Sequence, residues 1–251
     1  MELYEHVGGA PSQAAGAMTG ARDQVLGSIR RALKRGPPAP EAVAACETRL
    51  VTHRRNLIPE RARTLPPRGQ VELFVKMAEA VNATVTRVTD ARDVPAAIAE
   101  YLKRLNLPAR LVRAPDPTLD ALPWADQTLL ETRRGVAEDA DLVGVTSCFA
   151  AIAETGTLML HSGPAGPTRN NFLPDTHVAV VRASQVVAAY EDGWDKLRTA
   201  RRGGDGAFAM PRTVNFITGP SRTADIEQKI ELGAHGPRRL HLVVIDDGEA
   251  A

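Results

Sequence analysis

The sequence predicts an α/β fold: a mostly parallel sheet with helices on both faces, preceded by an N-terminal helical arm. Two observations predict it. From Gln70 onward, strand patterns alternate with helix patterns. Several of those strands, such as His177-Val-Ala-Val-Val181 and Leu240-His-Leu-Val-Val-Ile245, are apolar at both parities, as a strand covered on both faces must be. The chain has 251 residues, 43% of them hydrophobic, enough to bury the core that such a sheet needs.

Taken in order, residues 1–20 are rich in Gly, Ala and Ser without periodicity and read as a mobile tail. Met18, just before the first helical pattern, is a second candidate start. Residues 21–66 read as the helical arm. Val25, Leu26, Ile29 and Leu33 share one face of a helix from Ala21 to Lys34, stopped by Gly36-Pro37-Pro38. A second helix is expected over Glu41–Thr52, and Pro59, Pro66 and Pro67 then interrupt the chain. The α/β domain is expected over 67–247. It opens with an amphipathic helix carrying Val71, Phe74, Val75, Ala78 and Val81. The β-branched run Thr84–Val88 is a strand, and Asp93 is placed to cap a helix carrying Ile98, Tyr101, Leu102 and Leu105. Further strands are expected at Ala109–Val112, Leu142–Thr146, Thr157–Leu160, His177–Val181, Val214–Ile217 and Leu240–Ile245, with helices near Asp192–Ala200 and Thr223–Glu231.

The charge balance excludes some functions. With 31 basic and 30 acidic residues the net charge is +1, which lacks the basic excess of nucleic-acid or membrane-surface proteins. Two distant cysteines, Cys46 and Cys148, predict a reducing compartment, and cannot by themselves ligate a four-cysteine iron–sulfur cluster. No CxxC or HExxH spacing marks a metal site, and no apolar run is long enough to span a bilayer. The N-terminus lacks the pattern of a secretory signal, so the cytoplasm is the expected location.

The chemistry concentrates in the C-terminal half. After the strand ending at Thr218, Gly219-Pro220 leads into Ser221, Arg222 and Thr223 and an expected helix containing Asp225. A helix N-terminus beyond a strand end offers free N–H groups and partial positive charge, and Arg222 can add a bidentate grip on an anion. Simple capping by Ser221 or Thr223 explains the same residues. Glu154, in the turn with Thr155, Gly156 and Thr157, is either a nucleophile, base or orienter, or an incidental turn carboxylate. Gly156 would let substrate approach the backbone. Arg169 offers a second positive contact or is an ordinary exposed arginine, and His235 is an acid–base group or a turn residue. Cys148 reads as a buried structural thiol.

Four segments in this order closely resemble the lactate utilization protein C family: Glu154-Thr-Gly-Thr157, Arg169 with Leu173-Pro174, Gly219-Pro-Ser-Arg-Thr-Ala-Asp-Ile-Glu227, and Gly233-Ala-His-Gly-Pro237. The resemblance runs from about Ala21 to Ile245. It implies a fold similar to ribose-5-phosphate isomerase, glucosamine-6-phosphate isomerase and the CoA transferases. It also implies a component that acts with two other proteins, one an iron–sulfur protein, in oxidising L-lactate to pyruvate. Lactate oxidation needs a redox centre. This chain has neither a GxGxxG fingerprint nor cluster cysteines, so no cofactor is expected on it and the clusters belong to a partner. Two other readings stay open: an independent CoA-transferase-like or isomerase-like enzyme using Glu154, and a non-catalytic metabolite-sensing subunit.

Overall fold

The computed structural model describes residues 13–34, 36–55, 57–204, 208–223 and 231–247. Contacts divide the chain into two compact units, Met1–Asn56 and Leu57–Ala251. The first unit holds α1 (Gln13–Leu33) and α2 (Pro40–Thr52). Helix α1 thus begins inside the stretch expected to be a tail, of which residues 1–12 lie outside the described residues. The second unit begins ten residues before the boundary read from the prolines, because Ile58 and Ala62 are already buried.

The second unit contains α3 (Glu60–Arg63), α4 (Pro67–Ala80), β1 (Thr84–Val88), α5 (Val94–Arg104), β2 (Arg110–Arg113), α6 (Pro117–Asp120), β3 (Glu131–Arg134) and β4 (Val143–Ser147). It continues with β5 (Ala150–Ile152), β6 (Thr157–His161), α7 (Arg169–Phe172), β7 (Thr176–Arg182), β8 (Val186–Val187) and α8 (Tyr190–Ala200). The last strands are β9 (Val214–Ile217), β10 (Arg222–Thr223), β11 (Glu231–Leu232) and β12 (Arg239–Ile245).

Six strands form a wholly parallel sheet in the order β1-β12-β7-β4-β2-β3. Four more form a mixed sheet, β8-β5-β6-β9. The alternation of β7 and β12 divides the core. Val178, Val180, Val243 and Ile245 face α5, whose Val94, Ile98, Tyr101 and Leu102 recur at helical spacing. Ala179, Val181, Leu240, Leu242 and Val244 face the other way, against Leu158 and Leu160 of the small sheet and Val71, Phe74 and Ala78 of α4. Helix α8 closes the far side of the small sheet through Leu197 and Trp194. Both faces of the parallel sheet are therefore covered, by helices on one side and by a second sheet with α4 on the other.

One expected element is corrected. Thr223 and Glu231, both assigned to a helix from sequence, are strand residues: β10 and β11 pair antiparallel as a short ribbon. Residues 224–230, and with them Asp225, lie outside the described residues. Tertiary pairing overrides the local helix-start pattern, since Ser221 N–H donates to Pro237 O at 2.8 Å and Gly233 N–H donates to Ser221 O at 3.0 Å.

Candidate functional site

Between the two sheets lies a cavity of about 240 Å³. One wall is the end of β9 and the turn after it: Phe216, Ile217, Thr218, Gly219, Pro220 and Ser221. A second is the loop His235–Pro237, and the remainder comes from Asn171 and Phe172 of α7, His177 of β7 and Leu240 of β12. The two motif segments meet because the ribbon draws them together, and His235 N–H also donates to Ser221 Oγ at 3.3 Å. Gly219 adopts φ +76°, and a Cβ there would stand 2.4 Å from Val81 O, so the turn after β9 rests directly on the end of α4. Gly144 plays the same part beneath α7. A Cβ on it would come within 2.8 Å of Asn170 O and Pro174 Cγ. Asn170 fixes α7 from the other side, accepting from Ala137 N–H at 2.8 Å and donating to Gly135 O at 2.9 Å.

A second, smaller cavity of about 130 Å³ sits at the carboxyl ends of β2 and β4, where ligands of open α/β sheets bind. Its lining includes Asp116, Thr146, Ser147, Cys148, His161 and Asn171. Ser147 Oγ donates to Asp116. Burial pushes the Cys148 thiol up to about 12, which makes it an inert core group, as read from the sequence.

The residues singled out from the sequence separate into three groups. Ser221 and His235 line the larger cavity. Glu154, Thr155 and Gly156 form the turn between β5 and β6, and Thr157 opens β6. Tyr190 N–H, at the start of α8, donates to Glu154 Oε1 at 3.3 Å, and Arg61 donates to the Glu154 carbonyl. The carboxylate thus caps a helix. Gly156, at φ +66°, lets the turn pack against α4: a Cβ would lie 2.2 Å from Ala78 N. Thr155 and Thr157 join a hydroxyl cluster with Tyr190. Thr157 Oγ1 lies 2.6 Å from Thr218 Oγ1, so this turn reaches the cavity edge through Thr218.

The third group is at the surface. Arg169 pairs with Asp139 at 3.1 Å and is 58% exposed. Arg222 and Thr223 belong to the ribbon, where Arg222 is exposed. Among the described residues neither cavity is lined by Glu154, Arg169 or Arg222. The helix expected behind Arg222 falls largely on residues 224–230, outside the described residues; among the described residues, the polar side chains lining the larger cavity are hydroxyls, an amide and imidazoles.

Residues 71–245 match the LUD domain. The chain belongs to the LUD domain family. That span takes in every strand of both sheets and both cavities. Among curated relatives, Lactate utilization protein C of Deinococcus radiodurans is 31% identical over 219 residues, covering 82% of this chain and 98% of that one. Lactate utilization protein C of Exiguobacterium sp. is 35% identical over 130 residues, covering 52% and 55%, and that of Macrococcus caseolyticus is 33% identical over 128 residues, covering 51% and 53%. With the last two, the chain spans about half the relative's length. A crystal structure of a DUF162 family protein from Deinococcus radiodurans superposes with a TM-score of 0.52 at 25% identity, covering 72% of this chain and 99% of that one.

Two residues of this LUD domain escaped the sequence reading. Asn171 is buried and lines both cavities. His177 is fully buried, its Nε2 lies 2.8 Å from Thr146 Oγ1, and burial lowers its pKa to about 4, which keeps the ring neutral. The signal was present: a histidine on the inward parity of an otherwise apolar strand.

Proposed function

We propose that this chain is a component of an L-lactate utilization system, in which it binds a small anionic metabolite while iron–sulfur partner proteins carry the electrons. The relatives' names supply the pathway. The observation that carries the binding role is the meeting of Gly219–Ser221 and His235–Pro237 on one cavity. These are two of the four segments that carry the family resemblance, and they lie side by side on the cavity, joined by hydrogen bonds through Ser221. Its volume of about 240 Å³ lies below the roughly 300–1,000 Å³ of drug-sized pockets, which suits an acid of a few heavy atoms. The Ser221 and Thr218 hydroxyls, the Asn171 amide and the His235 ring can donate hydrogen bonds to a carboxylate. The two cysteines of this sequence cannot ligate a four-cysteine cluster by themselves, which supports placing the clusters on a partner. The parallel sheet and the motifs together support a backbone of the ribose-5-phosphate isomerase and CoA-transferase type.

Calorimetric titration with L-lactate and pyruvate tests the binding role. The wild-type chain is expected to bind at least one of them, and Ser221→Ala and His235→Ala are each expected to weaken that binding about tenfold. Unchanged affinity in both variants rejects the cavity as the site. Deleting the gene tests the pathway separately, with growth on L-lactate expected to be lost.

A further inference from the structure

We infer that His177 is the recognition residue for the oxygen on carbon 2 of a short hydroxy or oxo acid bound in the larger cavity. This rests on the proposed function and narrows it from a small anion to a chemical class. His177 is 0% exposed and is one of the residues bordering the cavity, and its Nδ1 is a buried polar atom with no hydrogen-bond partner. Buried polar groups are nearly always paired, so an unpaired one on a cavity wall calls for a ligand atom. The strands beside it cannot supply the partner. Opposite His177 in register stand Gly144 on β4 and Leu240 on β12, neither with a polar side chain.

The other ring nitrogen explains why both members of a hydroxy/oxo pair fit. A neutral imidazole carries one N–H and one lone pair. When the Thr146 hydroxyl donates to Nε2, Nδ1 carries the proton and donates to a ligand oxo group. When the Thr146 hydroxyl accepts from Nε2, Nδ1 holds its lone pair and accepts from a ligand hydroxyl. The Thr146–His177 pair, 2.8 Å apart in the core, therefore serves either ligand without charging the ring. Thr146 also lines the smaller cavity.

The test compares L-lactate, pyruvate and propionate, which lacks the 2-oxygen, on the full chain. His177→Gln places its amide near the Nε2 position and keeps the Thr146 bond. It is expected to bind lactate and pyruvate about ten- to a hundredfold more weakly and to leave propionate binding unchanged. His177→Asn places its amide near the Nδ1 position and is expected to retain more of the affinity. In wild-type protein labelled with ¹⁵N-histidine, the His177 Nδ1 resonance is expected to shift with lactate and with pyruvate, in opposite directions. If wild type binds the acids but His177→Gln binds them equally well, or the resonance stays still, the role of His177 is overturned and the proposed function survives. If wild type binds neither acid, both fall. Should His177→Gln fail to fold, the wild-type resonances decide.

Discussion

The two faces of the parallel sheet each hold a buried histidine, and the two are nearly alike in their immediate chemistry. His241 Nδ1 lies 2.9 Å from Thr84 Oγ1 and its Nε2 has no partner, whereas His177 Nε2 lies 2.8 Å from Thr146 Oγ1 and its Nδ1 has none. Burial lowers both to about 4, with the Arg104 charge adding to the effect at His241. What differs is the neighbourhood of each residue. Tyr101 of α5 stacks on His241 with centroids 3.7 Å apart and planes 9° apart, sealing it into the core. His177 borders the larger cavity. Burial, a threonine partner, an unpaired nitrogen and a depressed pKa are common to both, so none of them alone marks a binding site. The position beside a cavity sets His177 apart.

Acid gives the largest expected effect, and it treats the two rings alike. Each histidine titrates near 6.5 when unfolded and near 4 when folded, so the unfolded chain binds more protons in between. The stability from keeping each ring neutral is complete above about pH 6.5 and is lost as pH falls to about 4, on the order of 3 kcal/mol per ring. Chemical denaturation at stepped pH should show it, and His177→Gln and His241→Gln should each remove roughly half. One variant abolishing the whole pH dependence would break the equivalence. Next comes Tyr101→Ala, which opens space above His241. It should cost about 3 kcal/mol as an aromatic truncation in the core, yet leave lactate and pyruvate affinity unchanged. Weaker binding in a well-folded Tyr101→Ala protein would mean that the two faces communicate. The smallest effect belongs to Arg169→Ala. Its exposed pair with Asp139 should contribute less than about 0.5 kcal/mol, and acid binding should not change.

The parts of this molecule that a sequence can reveal are those decided locally. β1 and β9 have the bounds read from their β-branched and apolar runs, and β7 and β12 differ by a residue or two at their ends. β3, Glu-Thr-Arg-Arg, carries no apolar pattern because it lies at the sheet edge, and only its pairing with β2 makes it a strand. The ribbon of β10 and β11 was illegible for a related reason: hydroxyls followed by acids read as a helix start, while the deciding bonds reach Gly233 and Pro237. The helix-capping contact of Glu154 was not legible, because nothing adjacent in the chain reveals that Tyr190 N–H will be its partner. Ser221 and His235 were legible as a pair because both sit in motif segments. His177 was hidden in a run that its neighbours make look purely structural.

A crystal structure of the chain with pyruvate or L-lactate tests the central claim most directly. The account predicts ligand density between Asn171, His177, Ser221 and His235, with a ligand oxygen within hydrogen-bond distance of His177 Nδ1. Density instead at the exposed guanidinium of Arg222 or Arg169, with the cavity unchanged, would contradict it.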